Sequence, residues 1–204
     1  MNVFAILAFV VWIYLLSVFY RGKRGFFYFI FGSIGSFFFL MLYLKPILMP
    51  VLVQLVTSVT GILGRGTGLF EAYRDYSILF IESPKDGGAL SLYIDFECSG
   101  IIEILVFISL LAFFQVYGVW QRIVIGAIGC VVIFFSNVTR IFIICVMIRI
   151  WGNEVYYLAH TLIGRIVFYI FAVLLYYFVF TKAQIVRQKV GGFSYAQNNK
   201  VADK

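Results

Sequence analysis

The chain has 204 residues, of which 63% are hydrophobic and only 12% charged, about half the charged fraction of an ordinary soluble domain. Such a chain cannot cover itself with polar surface, and its unbroken apolar runs lack the alternation of barrel strands. The net charge of +7 calls for no nucleic acid, because Lys and Arg collect at the cytoplasmic ends of membrane spans.

The first apolar run, Asn2–Tyr20, has no basic region before it and no small-residue cleavage site, so it reads as a first span rather than a removable signal. Arg21, Lys23 and Arg24 stop it. A second span, Phe26–Leu44, ends at Lys45–Pro46. The short basic loop between them is expected to be cytoplasmic, which puts the N-terminus outside. Pro46–Leu63 carries Gln54, Thr57, Ser58, Thr60 and Gly61 on part of its circumference. It is expected to lie in or dip into the outer interface, with a sixth span as the alternative.

Gly64–Glu97 is polar and holds Glu71, Asp75, Glu82, Asp86, Asp95 and Glu97 around a turn at Pro84–Gly88. Ala89–Glu97 (ALSLYIDFE) alternates as a strand does, so a small hairpin or cap is expected. A third span follows over Gly100–Tyr117 and a fourth over Ile123–Ile150, the latter with Arg140 embedded. The fifth is Thr161–Phe180, and the tail holds Lys182, Arg187, Lys189, Lys200 and Lys204. The expected fold is an all-α integral membrane protein of about five transmembrane helices, six at most, plus an interfacial helix and a small extracytoplasmic cap. Its parts are two N-terminal spans (1–45), the interfacial and extracytoplasmic segment (46–97), the site-bearing spans (98–181) and a basic cytoplasmic tail (182–204). The expected location is the plasma membrane, with the site facing outside.

Ionisable groups inside apolar runs are functional candidates. Cys98 precedes the third span and His160 the fifth, both at the outer end. Arg140 lies 18 residues beyond Arg122, about 27 Å along a helix, at the same level. A thiol is nucleophilic as thiolate, favoured at a helix start or beside a cation. An imidazole takes its proton and returns it to a leaving amine, and a guanidinium binds an oxyanion or a carboxylate. Together they make a cysteine acyl-transfer site; singly, each is explained as an inert thiol, an interfacial anchor or a snorkelling cation.

The run LSLYIDFECSG (Leu90–Gly100), then Asn137-Val138-Thr139-Arg140, then the lone His160 ahead of a Gly-containing last span resembles the exosortase/archaeosortase family. Over about Pro46–Phe180 the order Cys, Arg, His has that family's spacing, and the compact length resembles its Gram-positive XrtG branch. The resemblance implies a membrane cysteine peptidase/transpeptidase acting on a membrane-anchored exported protein with a C-terminal sorting signal. Cys98 would be the nucleophile, Arg140 the stabiliser and His160 the acid/base. The acceptor would be a cell-surface glycan or lipid, and no metal or cofactor is implied.

Glu103 and Arg165 each lie five residues after a site residue, so equal depth predicts a buried ion pair; the alternative makes Arg165 a second substrate-binding cation. Asn137 shares a helix face with Arg140 and either bonds the site or satisfies a neighbouring span. Glu97 either orients His160 or is solvated. Cys130 and Cys145 are packing residues by this reading, and Tyr156 and Tyr157 belong to the interfacial belt. Two other function classes stay open from sequence: a non-catalytic subunit of a surface-polysaccharide assembly system, and a small transporter.

Overall fold

The computed structural model describes residues 3–83 and 88–186. Most of the expected Pro84–Gly88 turn and the tail cations from Arg187 onward lie outside the described residues. The fold is a helical bundle that carries a small sheet at one end. Four described helices are long and apolar enough to cross a membrane: α2 (Gly25–Tyr43), α3 (Lys45–Thr67), α5 (Val119–Trp151) and the last helix (Asn153–Val186). Helices α1 (Val3–Arg21) and α4 (Ile101–Phe113) complete the bundle.

Helices α1 and α2 form a hairpin through a tight turn in which Lys23 has φ +52°. Aromatic side chains hold it, with Trp12 Nε1 donating to Phe31 O at 2.9 Å. Helix α2 then runs antiparallel to α4, the Tyr28 and Phe113 rings meeting at 5.6 Å. At 13 residues, α4 is only about 20 Å long, shorter than the ~30 Å hydrocarbon layer. The expected third span therefore finishes in extended backbone at Phe114. Non-helical backbone at membrane depth needs protein around it. Phe114 is buried, and the nearby Tyr117 hydroxyl donates to Val179 O at 2.5 Å.

Strands β1 (Glu71–Tyr73), β2 (Ile78–Ser83) and β3 (Gly88–Tyr93) form an antiparallel sheet in the order β1-β2-β3. The cap read from alternation is this sheet, although the alternating run leaves strand geometry after Tyr93 and enters a 3-10 turn at Phe96–Cys98.

Helix α3 contains the segment expected at the interface. It opens with Pro46 in its first turn, where a missing N–H costs nothing, and stops at Gly68 in left-handed conformation. Its small and polar residues Thr57, Thr60, Gly61 and Gly64 are buried while Ile47, Val51 and Ile62 are exposed. This is the pattern of a helix whose close-packing face is made of small residues and whose apolar face meets lipid. A Cβ on Gly61 would stand 2.5 Å from Ala72 Cβ, so glycine sets how closely α3 approaches the sheet. Its length permits a crossing, yet both ends pack in the half of the molecule that carries the sheet. Lys45 Nζ sits 3.7 Å over the Phe96 ring, and Gly64 and Arg65 line a cavity with Glu82 and Arg149.

Helix α5 ties the halves together. Its 33 residues make it about 50 Å long. Its first half faces α4, where Gly129 abuts the Phe107 ring; its second half runs beside the sheet, and Arg149 Nη1 donates to Glu82 O. Two apolar cores result. One joins Val53, Val56, Leu79, Ile81, Leu92, Ile141, Ile144 and Ile148; the other joins Ile104, Phe107, Leu111, Ile133, Phe168 and Val179.

Candidate active site

The site lies on the seam between these cores. Cys98 closes the 3-10 turn Phe96–Cys98, which Asp95 caps by accepting from Phe96 N at 2.6 Å. Cys98 N donates to Asp95 O at 2.9 Å, and Asn137 Nδ2 donates to Cys98 O at 2.5 Å. Both backbone groups of the cysteine are therefore fixed. Gly100, with φ +75°, turns the chain into α4, a conformation that an L side chain rarely adopts. As expected, Cys98 precedes the third span: α4 begins at Ile101, with Ser99 and Gly100 intervening. The group that faces the sulfur is an imidazole rather than a helix terminus.

That imidazole is His160, whose Nε2 lies 3.3 Å from Cys98 Sγ across 62 residues of sequence. It sits in a π-helical segment, Ala159–Ile163, inside the last helix. Such insertions occur mostly as single turns and often at functional sites. Gly164 follows, and a Cβ there would stand 2.9 Å from Ile144 Cδ1 and 3.1 Å from Ala159 O, so glycine lets the widened turn press against α5. Tyr156, read as part of an interfacial belt, stacks on His160 with ring centroids 5.7 Å apart and planes 25° apart. Its four-residue spacing from His160 was the available signal.

Arg140 is 7% exposed and Asn137 fully buried. On α5, Arg140 is bracketed by two residues that touch the other parts of the site. Asn137, one turn before it, holds Cys98; Ile144, one turn after it, meets Gly164. Of the two readings of Asn137, the bond to the site is the one formed.

Glu103 and Arg165 do not pair. Among the described residues no ion pair joins them: Arg165 is exposed on the last helix, and Glu103 lies within the electrostatic reach of Arg140. Depth alone does not decide contact: rotation about the helix axis does, and a π-helical insertion turns a helix by about 100° relative to an uninterrupted one. The side chain of Glu97 lies outside the described residues. Cys145 is fully buried in the sheet-side core, and Cys130 packs against the other; all three cysteines are free of disulfides.

The structure is thus a helical membrane bundle capped by a small sheet, in which a thiol meets an imidazole and α5 carries a buried guanidinium. A transmembrane exosortase family model matches residues 1–177, and the chain belongs to the transmembrane exosortase family. That family comprises membrane cysteine peptidases/transpeptidases associated with cleavage of C-terminal sorting signals. No curated protein and no solved structure matches the chain.

Proposed function

We propose that this protein cleaves the C-terminal sorting signal of exported, membrane-anchored proteins at the outer membrane face and releases them or transfers them to an acceptor. The observation that carries the reading is the contact of Cys98 Sγ with His160 Nε2 at 3.3 Å, beside a buried arginine. His160 Nε2 takes the thiol proton, and Cys98 attacks the carbonyl of the scissile bond. Arg140 stabilises the oxyanion. Collapse of the tetrahedral adduct breaks the C–N bond, and His160 returns the proton to the departing amine. An amine, a hydroxyl or water then attacks the thioester, His160 accepting its proton while the thiol is regenerated. A glycan or lipid of the cell surface is the acceptor we favour.

Charge supports the orientation we propose. Arg21, Lys23 and Arg24 line a cavity with Gln115 at the end opposite Cys98. Arg122 is at that end too, donating to Ala112 O at 3.0 Å. Positive charge at that end supports a cytoplasmic placement for it, with the sheet and the site outward and α3 in the outer interface. The substrate's scissile bond would emerge from the bilayer at this height.

The test compares the C-termini of all surface and membrane proteins in cells carrying the native protein or Cys98→Ala. One or more exported proteins should keep an apolar C-terminal tail only in the variant. A C-terminal inventory identical in the two strains would refute the proposal.

A further inference from the structure

Among the described residues, two polar atoms of the site are buried without a partner: Asn137 Oδ1 and Arg140 Nε. They belong to residues 0% and 7% exposed, one helical turn apart on the same face of α5. Buried polar groups are nearly always paired, and a buried group left unpaired costs far more than an exposed one. The orientation of the amide is fixed by its chemistry. Cys98 O accepts a bond from Asn137 at 2.5 Å, so the atom facing it is the NH2 nitrogen and the other is the carbonyl oxygen. The site thus offers one acceptor and one donor.

We propose that this pair reads the main chain of the substrate. Asn137 Oδ1 accepts the N–H, and Arg140 Nε donates to the C=O, of the residue whose carbonyl Cys98 attacks. In extended backbone the N–H and C=O of one residue point to the same side, as in the paired bonds of an antiparallel ladder. Side chains three apart on a helix are about 5–6 Å apart at Cβ, a separation that one residue's two polar groups can bridge. The carbonyl oxygen that Arg140 binds is the one that becomes the oxyanion, so this bond strengthens as charge develops. Asn137 then has two jobs: its NH2 fixes the nucleophile's backbone, and its oxygen fixes the substrate's. Recognition of this kind is blind to the substrate side chain. It selects an extended, unblocked peptide, and sequence preference must come from elsewhere. The inference rests on the acyl-transfer reading of Cys98.

The experiment uses the purified full-length protein in detergent and reads alkylation at Cys98 by peptide mass spectrometry. The probes are acetyl-Ala-Ala-Ala chloromethyl ketone and the analogue in which the N–H of the ketone-bearing residue is replaced by an ester oxygen, which deletes one donor without adding bulk. Cys98 sulfur displaces chloride from either. The amide probe should react about 10-fold faster than the ester, an ester placed one residue earlier should show no such loss, and Asn137→Ala should bring the ratio to about one. Equal rates for amide and ester in the unaltered protein would overturn the inference without any variant, as would a ratio that survives Asn137→Ala. Iodoacetamide separates the two claims. If it labels Cys98 readily while the ratio is one, only the main-chain reading fails; if Cys98 is inert to every probe, the acyl-transfer reading fails and takes this inference with it.

Discussion

The two ends of the bundle are built from different materials. At the sheet end the core is aliphatic, with Val56, Leu79, Ile81, Ile94, Ile144 and Ile148 at 0–1% exposure. Backbone hydrogen bonds of three paired strands cross it. At the basic end aromatic rings dominate: Phe107 meets Tyr176 and Phe180 edge-on at 6.0 Å, and Phe114 meets Phe180 at 5.1 Å. Branched aliphatic side chains with few rotamers, fastened to a sheet, define positions closely, whereas ring contacts accept a range of geometries. The site lies where these materials meet, between Ile133 of one core and Ile141 of the other on α5. Anchoring thus falls to the basic end and placement of the thiol to the sheet end.

Substitutions can break or sharpen that contrast. The largest effect belongs to the seam itself. His160→Ala should lower Cys98-dependent cleavage by about 10²- to 10⁴-fold, measured as the rate at which the apolar tail is lost from a processed protein, with expression unchanged. Next comes the sheet-side core. Leu79→Ala empties a fully buried position and should cost about 2–5 kcal/mol, read as a lower unfolding midpoint in detergent, together with a loss of Cys98 reactivity at temperatures where the protein is still folded. In the aromatic half, Gly129→Ala puts a Cβ 2.2 Å from the Phe107 ring. It should cost about 1–3 kcal/mol in the same melting experiment while leaving Cys98 alkylation at its native rate. If Gly129→Ala disturbs the thiol as much as Leu79→Ala does, the division of labour between the halves is wrong. The smallest effect tests the unmade ion pair. Glu103→Gln and Arg165→Gln should add to within about 0.5 kcal/mol in unfolding free energy, and rescue of one by the other would restore the pairing read from depth.

Much of this arrangement was legible. Alternation in Ala89–Glu97 announced the strand beside the cysteine, and the 18-residue step from Arg122 to Arg140 put the guanidinium far along one helix. The three-residue spacing of Asn137 and Arg140 put both on one face. What could not be read depends on rotation and on packing across elements. The π-helical segment around His160 exists because Gly164 and Ile144 allow a close approach, which no local propensity encodes. Beyond it Arg165 is exposed and makes no pair with Glu103. Helix α3 was hard for a related reason: its polar residues looked like a wet face, but they are the buried contact with the sheet, and its apolar residues are the exposed ones. In a membrane that inversion is favourable, so polarity alone cannot say which side of a helix faces protein.

Activation of Cys98 by His160 at an outward-facing site is what the proposed chemistry requires. Its most direct test is the rate of maleimide alkylation at Cys98 against pH in intact cells, using a membrane-impermeant reagent and a protein that keeps Cys98 as its single cysteine. Labelling that persists below pH 7 and falls in His160→Ala is the expected result. A thiol that reacts only as its pH approaches about 8.5, like a free cysteine, with no change in His160→Ala, would contradict it.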